Sequence, residues 1–425
     1  MTKFAVGLAM FLVLAIGATV WMQSESTVDV ASKFLKEGNY RRATKMLEEH
    51  VKDYPDDTAA ILLLSEAIQS DPEEQDIRGT EKVLEVLDGI PDSAQEALIA
   101  RLQQAELSIQ ILHEVQRAEG YARRALAVGP DDPRCSEMMS YIFQLTRRFM
   151  AAEEYYNITY ENTPPHKRID VLRRWYISQF DPFAMNTPYD EELGFELNAQ
   201  TEMRRYGRFM RLEPSAPAPR AAIASRYLDE GTAPEAVDLL QGKLEGEPDE
   251  EIDTASADAF YSFQLIRGLV FMGKIEEAEQ EFAAWAHPEE GHLYHRTAAM
   301  MAEQSDGDFK KAMLHYDEAA KSWPAPLDQK FHALHVACAR KAGLAERAKE
   351  LDADYKSRVE VVMEPVVQLG LHNAVDMLPK PEAVKVFATF YEKLGRLEDS
   401  KRWLETLKTA APPVEVKRPP VDEGF

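Results

Sequence analysis

The first twenty-two residues form a hydrophobic segment that stands apart from the rest of the chain. Residues 4–21 carry no charge and follow Lys3. As a helix rising 1.5 Å per residue, this run would span about 27 Å, close to the thickness of a bilayer's hydrocarbon core. Candidate cleavage positions are poor because bulky Trp21 and Met22 follow them. We therefore predict a single transmembrane or signal helix at 1–22, retained as a signal anchor.

The orientation of this predicted anchor follows from the charges beside it. Lys3 lies on its short side, whereas acidic Glu25 and Asp29 follow it. Basic residues favour the cytoplasmic side of a membrane. We expect the remainder of the chain to be extracytoplasmic, which means periplasmic in a bacterium.

Beyond residue 22 the apolar positions follow a helical period and repeat along the chain. An interval of 34 residues separates four pairs of small residues or prolines: Ala118 and Ala152, Pro130 and Pro164, Pro214 and Pro248, and Ala278 and Ala312. A fixed period of this length indicates a solenoid, because one helical hairpin cannot bury its apolar face without a neighbour. The pattern predicts an all-α, right-handed α-solenoid of about nine or ten helix-turn-helix repeats over residues 23–411.

These repeats resemble the tetratricopeptide repeat (TPR) family. Its signature places a Gly and an aromatic residue in the turn, followed by a small residue, a large apolar residue and a closing Pro. The matching positions are Phe34, Gly38, Tyr40, Ala43, Leu47 and Pro55; Tyr227, Gly231, Ala236, Leu240 and Pro248; Gly273, Ile275, Ala278 and Phe282; Gly307, Phe309, Ala312, Tyr316, Ala319 and Pro324; and Tyr391, Gly395, Leu397, Ser400, Leu404 and Pro412. Residues 58–91, 327–362 and 363–380 fit this frame poorly.

Two segments depart from the repeat. The unit from Pro164 to Pro214 is 50 residues long, and its extra residues, with two prolines, predict an inserted loop around 181–195. The last fourteen residues, 412–425, contain four prolines and no apolar period, which predicts a disordered tail. Functional surfaces often lie on loops, so the inserted loop is of interest.

Composition changes this picture mainly through charge. Lys and Arg number 49 against 73 Asp and Glu, giving a net charge of −24. A field of that sign opposes binding to phosphate backbones, so we expect no nucleic acid partner. The two cysteines, Cys135 and Cys338, are too few for a disulfide framework, and we interpret both as small buried residues.

Three patterns that resemble catalytic or metal-binding motifs do not hold. Residues 268–274 have the spacing of a phosphate-binding loop, but Ile275 replaces the required Ser or Thr. His113 and Glu114 begin a zinc motif, but Arg117 replaces its second His. A third group could supply metal ligands, although charged turn residues explain it as well: His287, Glu289, Glu290, His292 and His295. We predict no catalytic residue, cofactor or metal site.

A basic zone lies in the long unit of this acidic chain. Its members occupy two predicted helices: Lys167, Arg168, Arg173, Arg174, Arg204, Arg208 and Arg211. Two interpretations stay open. The zone could receive an acidic or extended segment of another protein, or it could neutralise nearby acids such as Glu153, Glu154 and Glu161.

The TPR resemblance implies that peptides bind along the concave face, which the first helix of each repeat lines. On that frame the candidate partner-binding residues are Arg134, Tyr141, Gln144, Lys167, Arg174 and Ser225, with Trp175, Phe183 and Tyr189 as candidate aromatic contacts. We expect the protein to be a membrane-tethered extracytoplasmic scaffold that binds other proteins and has no catalytic activity. Two alternatives are a permanent structural or assembly subunit of a larger membrane complex, and an enzyme whose site lies on the inserted loop.

Overall fold

A computed structural model shows the fold of most of the chain. It describes residues 26–180, 194–243, 252–322 and 327–409. The predicted anchor at 1–22 and the predicted tail at 412–425 lie outside these ranges. Within the described ranges, no helix is long and apolar enough to cross a bilayer.

All regular elements in the described part of the chain are helical, as the sequence predicts. The 21 α-helices are α1 (Thr27–Lys36), α2 (Tyr40–Asp53), α3 (Thr58–Ser70), α4 (Ile77–Asp88), α5 (Ala97–Leu107), α6 (Val115–Val128), α7 (Pro133–Leu145), α8 (Phe149–Asn162), α9 (Arg168–Phe180), α10 (Gly194–Leu212), α11 (Pro217–Glu230), α12 (Ala233–Leu240), α13 (Ala259–Phe271), α14 (Ile275–Ala283), α15 (Gly291–Gln304), α16 (Phe309–Ala319), α17 (Gln329–Lys341), α18 (Ala345–Met363), α19 (Pro365–Met377), α20 (Pro381–Lys393) and α21 (Leu397–Thr409).

The chain divides into two compact units. Unit 1 comprises Met1–Leu112 and Gly120–Gly129, and unit 2 comprises His113–Glu119 and Pro130–Phe425. The core of unit 1 is built from Ala, Leu and Ile side chains of α1 to α5. Burying each Leu or Ile there contributes about 1.5 to 3 kcal/mol before the entropy of ordering is subtracted.

The helices form hairpins whose turns share one geometry. Six turns contain a glycine with φ between 64° and 89°, a left-handed conformation that costs glycine little: Gly38, Gly231, Gly273, Gly307, Gly343 and Gly395. Five positions after each of them lies a buried small residue: Ala43, Ala236, Ala278, Ala312, Ala348 and Ser400. Such residues allow the two helices of a hairpin to approach closely. The predicted helix-turn-helix repeats are therefore confirmed in the described residues.

Several first helices begin with an aspartate whose carboxylate accepts a backbone N–H of the first turn. Asp132 caps α7, Asp258 caps α13 and Asp328 caps α17 in this way. An aspartate cap stabilises a helix by about 1 kcal/mol because it satisfies an amide that has no partner inside the helix.

Unit 2 closes on itself through its last hairpin. The ring of Tyr176 on α9 contacts Phe387 on α20, with centroids 4.7 Å apart, and Phe180 contacts Phe390 at 5.1 Å. On α21, Arg402 donates from Nη1 to Oδ1 of Asn157 on α8, 245 residues away in sequence, at 2.5 Å. The C-terminal repeat thus packs against the α8 and α9 region, a contact that a linear stack of repeats does not contain.

Two features of the repeat differ from the sequence prediction, and one stays untested. The predicted inserted loop around 181–195 stays a prediction, because residues 181–193 lie outside the described ranges; α10 begins at Gly194. The segment 327–362, which fits the repeat poorly in sequence, forms the α17–α18 hairpin with the usual turn glycine. In the last repeat the buried large residue is Trp403, whereas the predicted Leu404 is 44% exposed.

Candidate functional site

A cavity of about 520 Å³ lies in unit 2. Its walls are the α7–α8 turn, the first helices α11, α13 and α15, and the start of α17. These helices open consecutive hairpins, so they lie side by side on one face of the repeat array. The volume falls within the range of about 300 to 1,000 Å³ typical of ligand sites.

Five cations and three carboxylates line this cavity. The cations are Arg147, Arg148, Arg267, Arg296 and Lys330, and the carboxylates are Asp229, Asp258 and Asp328. We call the four arginines the arginine cluster. Buried guanidinium groups are uncommon and need partners, so their pairing shows what the cluster is built to do.

Arg148 is a fully engaged member of the cluster. Its side chain is 4% exposed and donates to Asp258 at 3.0 Å, to Glu119 at 2.6 Å and to Thr146 at 2.8 Å. Burial alone would lower the pKa of Arg148, but the charges of the two carboxylates raise it. Because Asp258 also caps α13, this arginine ties the α7–α8 turn to the start of a first helix.

Arg267 and Arg296 occupy the adjacent first helices α13 and α15. Arg267 donates to Asp229 at 2.9 Å, and Arg296 donates to Asp328 at 2.7 Å. Burial, together with the nearby charge of Arg296, lowers the pKa of Arg267. Burial would raise the pKa of Asp328, yet the charge of Arg296 and the backbone N–H of Phe331 lower it below its usual value. The two arginines therefore lie near each other, each beside a carboxylate partner.

Arg147 completes the cluster from the α7–α8 turn. Its guanidinium donates to Glu202 on α10 at 3.1 Å and to Asp229 on α11 at 3.4 Å. Its φ is 61°, in the left-handed region that costs a residue with a Cβ about 1 kcal/mol or more. Asp229 consequently bridges Arg147 and Arg267 with its two oxygens.

The cluster holds more hydrogen-bond donors than its partners accept. A guanidinium carries five N–H donors. Among the described residues, Arg296 makes a single hydrogen bond, and the buried Nε atoms of Arg147, Arg267 and Arg296 have no partner. Unsatisfied buried donors cost about 1 to 3 kcal/mol each, but these Nε atoms are closed to the cavity; the donors that an acceptor from outside the chain can reach are those of Arg296 beyond the one used on Asp328.

The remaining lining is mostly apolar and aromatic. Phe149, Met150, Phe260, Phe263 and Leu293 contribute to it. Such a wall suits an apolar group carried next to an anionic one. His292 also lines the cavity, and its Nδ1 lies 2.9 Å from the carbonyl oxygen of Ala319. Burial, with the charge of Arg296, lowers the pKa of His292 to about 4, so the ring is neutral near pH 7.

Of the nine residues predicted to contact a partner, Ser225 alone is among the described lining of the cavity, and it is 5% exposed. Lys167 is exposed, and Tyr141 is 44% exposed. Gln144 donates to Ser140 at 3.2 Å, and Arg134 pairs with Asp132 at 2.8 Å. The structure therefore does not gather these residues into one site.

The predicted aromatic contacts fare differently from one another. Trp175 is 4% exposed and stacks on Tyr156 with ring centroids 4.3 Å apart. It packs in the core of the described structure, and its role as a partner contact stays a prediction. Phe183 and Tyr189 lie outside the described residues and stay predictions.

Two arginines of the basic zone pair with acids, as the second of the two open interpretations expects, and the first interpretation stays a prediction. Arg174 pairs with Glu137 of α7 at 2.5 Å, and Arg168 pairs with Glu161 at 3.8 Å. Of the acids named from the sequence, Glu153 pairs instead with Arg396 and Glu161 also pairs with Arg402, both contributed by the C-terminal repeat. These ion pairs join neighbouring repeats and are individually weak where exposed.

The sequence contains one local signal for the arginine cluster. Ala152 is the small residue of its repeat, and in the other repeats the turn glycine lies five residues before this position. Arg147 occupies the position of that glycine. By contrast, Arg267 and Arg296 meet only because two hairpins stack, which no local pattern reveals.

Cys135 and Cys338 are both free and buried, as the sequence predicts. Burial raises the pKa of each thiol to about 11, so neither is a reactive thiolate near neutral pH. Gly268 lies within α13, and Gly273 is a turn glycine of the repeat. This confirms that the apparent phosphate-binding loop is part of a hairpin.

No family model matches the chain, and no curated protein matches it. Three solved structures are similar over most of their length. The human IFIT1 dimer with PPP-AAAA is 11% identical, with 92% of each chain covered and a TM-score of 0.30. The P58(IPK) TPR domain is 13% identical, with 83% of this chain and 99% of that chain covered and a TM-score of 0.25. The APC/C hetero-tetramer Cut9-Hcn1 is 13% identical, with 90% of this chain and 79% of that chain covered and a TM-score of 0.30.

At these identities and TM-scores, the similarities assign neither a family nor a ligand to this chain. The helical-repeat fold rests on the hairpins and turn glycines described above. The expectations of no nucleic acid partner and of a membrane anchor stay predictions.

Proposed function

We propose that this protein is a non-catalytic interaction scaffold whose unit 2 binds an acidic, extended segment of another protein. The arginine cluster carries the proposal, because Arg296 lines an open cavity and makes one hydrogen bond among the described residues, which leaves further N–H donors for a partner. Apolar walls beside these donors suit a segment in which acidic and apolar side chains alternate.

Electrostatics gives this cavity a role that the rest of the chain does not share. The chain carries a net charge of −24, so an acidic partner is repelled by most of its surface. Counting Glu119 and Glu202, which pair with Arg148 and Arg147, five carboxylates accompany the five cations, so the attraction for an acidic partner comes from N–H donors left over after this pairing and not from a local net charge. Complementarity of this kind sets the site and rate of docking more than the total affinity.

Tethering to a membrane is part of the same proposal. The uncharged run at 4–21 would hold the repeats beside a bilayer, outside the cytoplasm. Protease added to intact spheroplasts should digest the repeats while a cytoplasmic control protein survives. If the repeats stay protected until the cells are lysed, this topology is wrong.

A second candidate function is a permanent subunit of a larger membrane complex. One observation favours it: the short helix α19 exposes an apolar stripe. Val366 is 75% exposed, Leu369 is 59% exposed, and Met363 at the end of α18 is 60% exposed. Apolar patches of this kind often mark surfaces that another protein covers.

Site-specific photo-crosslinking separates the two candidates. A photoreactive phenylalanine analogue would replace Phe260 in the cavity or Leu369 on α19, with exposed Lys349 as the matched control position. In native membranes, we expect the Phe260 probe to capture one partner through an acidic peptide, identified by mass spectrometry. Capture at Leu369 alone would favour the permanent subunit. Equal capture at Phe260 and Lys349 would exclude the cavity as the docking site.

A further inference from the structure

The α7–α8 turn has the same backbone geometry as the six turns that contain glycine. In those turns the amide after the glycine donates to a carbonyl at the end of the preceding helix, as Lys274 N does to Leu269 O at 2.9 Å. Arg148 N donates to Phe143 O at 2.9 Å in the same way. Arg147, with φ of 61°, therefore stands where the repeat uses glycine.

This position is unfavourable for an arginine. The Cβ of an L-residue crowds the following carbonyl in the left-handed conformation, whereas glycine adopts it freely. Strained backbone positions of this kind persist where the surrounding structure holds them, and they cluster at functional sites. The side chain of Arg147 must therefore provide something that glycine cannot.

The side chain reaches the wall of the cavity. It is 16% exposed and donates to Glu202 and Asp229, while its buried Nε has no partner among the described residues. Asp229 joins it to Arg267, whose side chain is 4% exposed. Arg296, 6% exposed, adds a third guanidinium with an unpartnered Nε.

We propose that Arg147, Arg267 and Arg296 form a binding site for an oxyanion, and that Arg147 replaces the turn glycine in order to complete it. The inference rests on the proposed function, because the oxyanion is the acidic group by which the partner segment enters the cavity. Two sources share this chemistry: the carboxylate of an Asp or Glu side chain, and the phosphoryl group of a modified residue. Guanidinium forks recognise both through paired N–H donors.

The test uses the full chain and two simple anions. Sodium glutarate represents the carboxylate source and inorganic phosphate represents the phosphoryl source, each compared with sodium chloride at the same ionic strength. We expect one of them to raise the midpoint temperature of unfolding above the chloride control, because an anion that binds only the folded chain stabilises it. The more effective anion identifies the source.

The decisive variant is Arg147→Gly, which restores the residue used in the other turns. Without anion, it should unfold at the same temperature as the natural chain or at a higher one, since glycine relieves the backbone strain. Its affinity for the anion should fall by about tenfold or more because a charged donor is lost. Arg147→Asn, which tolerates the left-handed conformation, should behave alike. The exposed control Arg134→Gln should keep the natural response.

Three results would overturn the inference. One is that neither anion stabilises the natural chain beyond chloride. Another is that Arg147→Gly and Arg147→Asn both lower the unfolding temperature without anion, which would make Arg147 a structural residue. The third is an unchanged anion response in both variants, which would place the site elsewhere. If anions bind as expected but the Phe260 probe captures no partner, the oxyanion site stands and the proposed function fails.

Discussion

Two buried arginines, one in each unit, show how differently a guanidinium can be used. Arg101 of α5 is fully buried and donates to Asp92, to Gln104 and to the carbonyl oxygens of Leu87 and Ile90. Arg296 of α15 is 5% exposed yet makes one hydrogen bond among the described residues.

The two arginines are buried to a similar extent, but they differ in how many of their N–H donors have an acceptor. Arg101 closes the turn between α4 and α5, and each of its three guanidinium nitrogens donates to an acceptor of unit 1. Arg220 in unit 2 is used in the same structural way, donating to the carbonyls of Pro214 and Leu239. A buried arginine thus points to a binding site only when its donors outnumber its partners.

The largest effect should come from removing the saturated arginine. Arg101→Leu leaves the carbonyls of Leu87 and Ile90 without their donor, whereas Asp92 keeps Arg124. At about 1 to 3 kcal/mol for each unsatisfied buried carbonyl, we expect a loss of about 2 to 5 kcal/mol. Urea unfolding followed by circular dichroism, together with hydrogen exchange of α4 and α5, would measure it. A loss of unfolding free energy below about 1 kcal/mol would mean that the hydrogen bonds of Arg101 do not stabilise the turn between α4 and α5.

A second effect concerns acid. His292 has a pKa of about 4 in the folded chain, against an ordinary value of 6.5. Below pH 6.5 the unfolded chain binds a proton that the folded chain does not, so stability falls as pH drops from about 6.5 to about 4. The loss should approach roughly 3 kcal/mol at the lower end.

Comparing the natural chain with His292→Gln isolates the contribution of His292 to the pH dependence of stability, because both chains share all other titrating groups. Unfolding in urea at several pH values would give the two stability curves. They should diverge between pH 6.5 and pH 4, with the variant less sensitive to acid. Parallel curves over that range would contradict the low pKa.

The unsaturated arginine should matter less for stability than for binding. Arg296→Gln retains a donor near Asp328 and should lower the free energy of unfolding by about 1 to 2 kcal/mol. The same variant should lose the anion response of the cavity. A stability loss as large as that of Arg101→Leu would erase the distinction between the two kinds of arginine.

The smallest effect is expected at an exposed arginine. Arg134 is 58% exposed and pairs with Asp132 at 2.8 Å. Exposed pairs contribute about 0 to 1 kcal/mol, so Arg134→Ala should change stability by less than about 1 kcal/mol. A larger loss in urea unfolding would show that this pair also supports the cap of α7.

The sequence predicted the fold better than the site, for a physical reason. Gly307 and Ala312 reveal a hairpin because the turn and the close helix contact are local requirements that recur. The cavity depends instead on Arg267, Arg296 and Arg147, which come from three different hairpins. These arginines come together because the hairpins stack. Only Arg147 could be noticed in the sequence, because it occupies the position where the other turns have glycine.

The closed end of unit 2 has a consequence for how this protein can evolve. Linear repeat proteins gain and lose repeats easily, because each repeat contacts only its neighbours. Here Phe390 and Arg402 of the last repeat must meet Phe180 and Asn157, so the number of hairpins between them is fixed by the geometry of closure. Duplicating or deleting one hairpin would separate these partners. Gain or loss of a whole hairpin between these contacts is therefore disfavoured in unit 2.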